Sequence, residues 1–259
     1  MQISDSLKSL QSWAKEAPGW FWTLVSMLVS IAAYSWLFGW ILATGIILIL
    51  FIHELGHVLM ALILKIRIGY PIFYPGVGAI IDLHQSALPP TDNALLGISG
   101  PIFGTIASAT CWGIFALTGV HYWAELAFMG MLLNLFNLIP LGEMDGGRIS
   151  TVLSRWLCIP GYLLLGALAW FVRTPIVLLS LLVMLPTVVE VFKKKQHRST
   201  ADARVLLSDR IIMGSMYLLL ICFLTFGSWN LWTKSILPGF RDGKSHMFPH
   251  HHQMVKKAP

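Results

Sequence analysis

The segment His53-Glu54-Leu55-Gly56-His57 has the residue types and spacing of a metal-hydrolysis motif, H-E-x-x-H. On a helix, residues four apart project from nearly one face, so both imidazoles can reach one zinc ion. Glu54 points in another direction; in such motifs the glutamate is not a ligand but the general base that takes a proton from the attacking water. The pattern is short and arises by chance on soluble surfaces. Here it is embedded in unbroken apolar sequence, Ile46 to Ile52 before it and Val58 to Leu64 after it. Ionisable groups at membrane depth are costly unless they pair or bind something, and that makes the triplet a candidate functional site rather than a purely structural cluster.

A tetrahedral catalytic zinc needs a third protein ligand and an open position for water. The acidic residues in or at the ends of apolar runs are Glu125, Glu143, Asp145 and Glu190. Glu125 and Glu190 lie near run ends and are expected to reach the interface. Glu143 and Asp145 remain as alternatives. Both fall in Asn137-Leu138-Ile139-Pro140-Leu141-Gly142-Glu143-Met144-Asp145-Gly146-Gly147-Arg148, where proline and glycine can break a helix and turn a carboxylate back into a bundle.

The elements that must position these groups are membrane helices. The 259 residues are 56% hydrophobic and only 12% charged, about half the charge of an ordinary soluble domain. Apolar runs long enough to cross about 30 Å of hydrocarbon recur along the chain. They predict spans at 20–37, 39–64, 94–118, 122–141, 157–172, 174–191 and 211–233, with the fifth and sixth short and carrying Pro160 and Pro186. The first run is followed almost at once by a second, without a small-residue cleavage pattern, and reads as a retained span rather than a signal peptide. The predicted fold is all-α and polytopic, with about six or seven transmembrane helices. Between the second and third spans, residues 65–91 mix strand formers (Ile68, Tyr70, Ile72, Phe73, Tyr74) with Gly and Pro, which predicts a short membrane-associated β-hairpin. Pro89-Pro90-Thr91-Asp92 then ends the loop and offers a polar cap to the third helix.

At this point the sequence resembles the site-2 protease family of intramembrane metalloproteases: H-E-x-x-H in one span, then N-x-x-P-x-x-x-x-D-G at the end of a later one. The pair is far more specific than either half. The resemblance implies that His53, His57 and Asp145 hold one zinc ion, that Glu54 is the base, and that Asn137 helps position the substrate or its oxyanion. It favours Asp145 over Glu143, which has no family role. The stretch Gly69–Leu83 resembles the family's membrane-associated strand segment, whose free edge, here Gly76, Val77, Gly78 and Ala79, would hold an extended substrate by backbone pairing. Gly97-Ile98-Ser99-Gly100-Pro101 and Gly104 also match, and read physically as close helix packing. The match runs over roughly residues 46–150 and is weak outside them.

The predicted organisation is a surface segment at 1–18, a metalloprotease core at 19–150, accessory helices at 151–233 and a polar His-rich tail at 234–259. No PDZ-like or nucleotide-binding stretch follows the core. The tail reads as disordered, and His246, His250, His251 and His252 as exposed side chains without a packed surround. Cys111, Cys158 and Cys222 read as small buried hydrophobes. Asp82, His84, His121 and Trp112 fit loop, interface or packing roles. The formal charge of +6 comes from loop and tail residues, as orientation signals do, and does not point to nucleic acid. With the N-terminus inside, twelve of the 18 Lys and Arg residues fall on the cytoplasmic side, among them Lys65, Arg67, Arg148 and Arg155. His57 stands eight residues from Lys65, about 12 Å of helix, which puts the site in the cytoplasmic half. The partners expected are the lipid bilayer and a transmembrane protein substrate. Two rival readings are a non-proteolytic relative that binds membrane segments and a metal-ion transporter. A transporter should show polar residues along several spans or a repeated half, and the sequence has neither.

Overall fold

The computed structural model describes residues 18–76, 78–81, 88–172 and 205–241, with isolated positions between 182 and 189. The expected N-terminal surface segment up to residue 17, the sixth span at 174–191, the lysine-rich loop and the His-rich tail beyond 241 lie outside the described residues, wholly or nearly so, as do Val77, Asp82 and His84.

Helix α1 (Gly19–Phe38) and helix α2 (Trp40–Ile63) are joined by Gly39 alone. Gly39 has φ 76° and ψ 159°, a conformation that a residue with a Cβ rarely adopts, so one glycine suffices to turn the chain between two spans. After α2 the chain forms a two-stranded antiparallel hairpin, β1 (Ile72–Tyr74) and β2 (Gly78–Ile80), in the register Ile72 to Ile80, Phe73 to Ala79 and Tyr74 to Gly78. Helix α3 (Pro90–Thr118) follows. It starts a turn before the expected position and uses no side-chain cap. Pro90 fills the first turn, where its missing N–H costs nothing, and Asp92 sits in that turn against the positive helix end.

Helix α4 (His121–Asn137) has 17 residues, helix α5 (Asp145–Leu153) nine, and a 3-10 turn (Arg155–Leu157) leads into helix α6 (Cys158–Val172). Pro160 falls in the first turn of α6 and does not break it. Helix α7 (Leu207–Leu231) continues through a wider turn at Trp232–Ile236 into α8 (Leu237–Arg241).

The protein is thus mainly helical with one small sheet. Four helical stretches among the described residues are long and apolar enough to cross a membrane: Gly19–Phe38, Trp40–Ile63, Pro90–Thr118 and Leu207–Gly239. Their outer faces carry large apolar groups such as Trp36 and Leu117, 76% and 88% exposed, which suits lipid and not water. Helix α3 is the most enclosed, with 61% of its apolar window buried against 17% for α1. It is the axis of the bundle, with α2, α4 and α5 packed around it. The main core joins Leu42, Ile46 and Ile49 of α2 to Ile98 of α3, Met131 of α4, Ile149 of α5 and Leu224 of α7.

Two expectations are corrected. Glu125 does not reach an interface but is buried at 1% exposure on the inner face of α4. Cys222 is exposed on α7 rather than buried, because that face of the helix turns away from the bundle. Cys111 and Cys158 are buried, and none of the three is in a disulfide.

Candidate metal centre

His53 and His57 stand one turn apart on α2, and each ring is fastened from behind. The Nδ1 of His53 lies 2.9 Å from Oδ1 of Asn134 on α4, and the Nδ1 of His57 lies 2.8 Å from the carbonyl of Leu96 on α3. The Asn134 amide is itself oriented, its Nδ2 donating to the Gly130 carbonyl at 2.7 Å, so Oδ1 must face the imidazole. A neutral ring that donates through Nδ1 presents a lone pair at Nε2. The two Nε2 atoms face each other at 3.2 Å.

Asp145 completes the group. Its Oδ2 lies 3.1 Å from Nε2 of His53 and its Oδ1 3.2 Å from Nε2 of His57. It arrives there because α4 ends at Asn137, the chain turns through Pro140 and through Gly142 at φ 49°, and α5 begins at Asp145. A Cβ on Gly146 would run into the Leu138 carbonyl, and one on Gly147 into the Gly142 carbonyl, so the tight return requires both glycines. Glu143 is turned outward on the same loop, its side chain 91% exposed and 3.3 Å from Nη2 of Arg148. It does not join the group. Nη1 of Arg148 donates to Asn93 of α3 at 3.2 Å and pins α5 to that helix.

Among the described residues, His53, His57 and Asp145 form the only group of three potential ligand side chains whose donor atoms all lie within 4.8 Å. The neighbouring donor pairs are 3.1 to 3.2 Å apart, close to the edge of a zinc tetrahedron, about 3.3 Å for bonds of about 2.0–2.1 Å. Two imidazole lone pairs and a carboxylate converging in an apolar bundle require positive charge between them. The donor set fits a zinc ion with one coordination position left open.

Three contributors to the centre were not legible as such in the sequence: Gly100, Gly104 and Asn134. Gly100 and Gly104 were expected only to pack helices. A methyl on Gly100 would run into His57 Nε2, and one on Gly104 into the Asn134 amide, so both glycines clear space for the centre itself. The signal at Asn134 is an amide in the last turn of an apolar helix, three residues before Asn137. Replacing it tests its role. Asn134→Ala is expected to weaken zinc affinity about ten- to a hundredfold, as loss of an outer hydrogen-bond partner to a metal-ligating histidine does, read by titration against a competing chelator. Unchanged affinity would mean that His53 is oriented by something else.

Glu54 is 5% exposed and borders a cavity of about 190 Å³ that it shares with Asn137 of α4 and with Gly76, Gly78 and Ala79 of the hairpin. Ile46, Ile47, Leu50, Leu133 and Phe136 supply its apolar wall. Asn137 Nδ2 lies 3.4 Å from His53 Nε2, so this residue touches both the donor group and the cavity. The hairpin is held over the cavity by α1. Thr23 Oγ1 donates to the Pro71 carbonyl at 2.8 Å, the Phe73 N–H to Ser26 Oγ at 3.1 Å, and the Gly76 N–H to Tyr34 Oη at 2.9 Å. These bonds take up the β1 side of the hairpin and leave β2 as its outer strand.

No family model matches the chain. Similarity to individual curated proteins is found. The chain is 28% identical over 144 residues to Rip3 of Mycobacterium tuberculosis, assigned as a zinc metalloprotease, covering 49% of this chain and 36% of that protein. It is 27% identical over 150 residues to the chloroplastic EGY2 of Arabidopsis thaliana, also assigned as a zinc metalloprotease, over 40% of this chain and 26% of the other. It is 26% identical over 110 residues to stage IV sporulation protein FB of Bacillus subtilis, over 42% and 38% respectively. The chain therefore spans well under half the length of each of these relatives.

Proposed function

We propose that this chain, a relative of the site-2 protease family and an integral membrane protein, is a zinc metalloendopeptidase that hydrolyses peptide bonds of transmembrane substrates within or beside the bilayer, as in regulated intramembrane proteolysis. The observation that carries the reading is the convergence of the His53, His57 and Asp145 donor atoms inside an apolar bundle, one residue from an enclosed glutamate that faces a cavity.

In this reading His53, His57 and Asp145 hold one zinc ion per chain. Zinc, when bound, supplies the Lewis acidity that activates water and polarises a carbonyl. Glu54 takes the proton from the attacking water and delivers it to the leaving amine nitrogen, which balances the hydrolysis. The Asn137 amide, between the donor group and the cavity, turns its N–H toward the substrate carbonyl oxygen. Gly76, Val77, Gly78 and Ala79 offer backbone groups to a substrate segment that has unwound, because a helix hides its carbonyls in internal hydrogen bonds. The N-terminus and the opening of the site are on the cytoplasmic side, as the Lys and Arg bias suggests. The core at 19–150 is completed by accessory helices at 151–233, for six or seven spans in all.

The test is cleavage of a transmembrane model substrate by the full chain in detergent. Cleavage is expected to stop with a zinc chelator and to return on adding zinc, with about one zinc per chain in the active sample. Cleavage indifferent to chelation refutes the metal. No cleavage of any membrane peptide by zinc-loaded protein favours a non-proteolytic relative.

A further inference from the structure

The turn that delivers Asp145 is gripped by a helix from outside the motif-bearing region. Leu138 ends α4 with φ −78° and ψ −2°, so its carbonyl is among the last four, which lack intrahelical partners. The backbone bonds of the turn run from Ile139 to Phe136, from Leu141 to Ile139 and from Met144 to Leu141, and pass this carbonyl by. Leu138 is 2% exposed, out of reach of bulk solvent. Tyr217 of α7 donates its hydroxyl to it at 2.6 Å. The neighbour of Asp145 rests against the same group: a Cβ on Gly146 would run into the Leu138 carbonyl oxygen and come within 2.5 Å of its carbon. Two turns before Tyr217, Arg210 Nη1 donates to the Leu153 carbonyl at 3.4 Å, at the other end of α5. Helix α7 therefore holds both ends of the stretch from Leu138 to Leu153.

We propose that Tyr217 is a positioning residue for the metal centre: its hydrogen bond fixes the Leu138 peptide on which Gly146 rests, and so sets the distance of the Asp145 carboxylate from the two imidazoles. The inference rests on the reading of His53, His57 and Asp145 as metal ligands. Without the phenol hydroxyl, the enclosed carbonyl turns to find another donor. Rotation of that peptide plane moves Gly146, and Asp145 with it.

The experiment uses the whole 259-residue chain in detergent, stripped of metal and titrated with Co2+, whose visible absorption reports ligand geometry. Tyr217→Phe is expected to weaken Co2+ binding about tenfold and to alter the band pattern. Tyr122→Phe is the matched control. Its hydroxyl donates to the Ile41 carbonyl at 3.3 Å, between α4 and α2 and away from the donor group, so its loss should leave affinity and spectrum unchanged. Parental affinity and spectrum in Tyr217→Phe overturn the proposal. If that variant does not fold, Gly146→Ala presses on the same carbonyl from the other side, and unaltered Co2+ binding there overturns the proposal equally. Failure of the underlying reading looks different: the parent binds no Co2+, or Asp145→Ala binds it as the parent does.

Discussion

Glu54→Gln is expected to lower peptide-bond cleavage by about 10² to 10⁴-fold, the usual contribution of a positioned general base, while zinc content stays at the parental level. The substitution keeps size and polarity and removes the ability to take a proton. Glu54 is not part of the donor group formed by His53, His57 and Asp145, so the metal should be indifferent to it. Its carboxylate is enclosed and borders the cavity under the hairpin, where the proposed mechanism would bring substrate and water together. The measurements are initial cleavage rate on a transmembrane model substrate and metal stoichiometry by elemental analysis. Equal rates for variant and parent would remove Glu54 from the chemistry, and loss of zinc would make it part of the metal site instead.

Gly100→Ala should be nearly as damaging by another route. The added methyl would run into His57 Nε2 and stand 2.7 Å from His53 Nε2, which are the two ring atoms of the donor group. The rings cannot swing aside without breaking the Nδ1 bonds to Asn134 and to the Leu96 carbonyl. Backing α3 away would open the close packing of α2 on α3 at Gly56, where a Cβ would lie 2.5 Å from the Ser99 carbonyl oxygen, and would draw the Leu96 carbonyl away from His57. Zinc affinity is expected to fall about a hundredfold, the upper end of what disturbing a metal's surroundings costs, with cleavage partly restored by excess zinc. Competition titration reads the affinity. A variant with parental affinity and rate would show that the metal sits elsewhere.

The parts of this architecture legible from sequence are those fixed by local geometry. The i, i+4 spacing of His53 and His57 puts both rings on one helical face wherever α2 packs. Of the seven expected spans, four are helices long enough to cross among the described residues, while the runs at 122–141 and 157–172 form helices of only 17 and 15 residues. The hairpin was legible because strand formers alternate with turn residues between two spans. The third donor was harder, because Glu143 and Asp145 occupy the same broken segment and only the turn at Gly142 decides which carboxylate points inward. Asn134 and Gly100 escaped for a related reason. An amide or a gap in a helix acquires its role from the element it meets, and those partners lie on α2, 81 residues away in sequence for Asn134 and His53. Glu125 shows the converse, an acid near a helix end that neighbouring helices nonetheless enclose.

The rear attachment of the two imidazoles carries a consequence for cohesion. One ring is tied to α4 and the other to α3, while the carboxylate that meets them belongs to α5. A cation among these donors would act as a rivet through four helices, and its binding free energy would be shared with the assembly of the bundle. Emptied of positive charge, the same three groups push apart at the point where the helices converge. Folding and loading would then be one equilibrium, in which a shortage of the metal would loosen the bundle as well as empty the site.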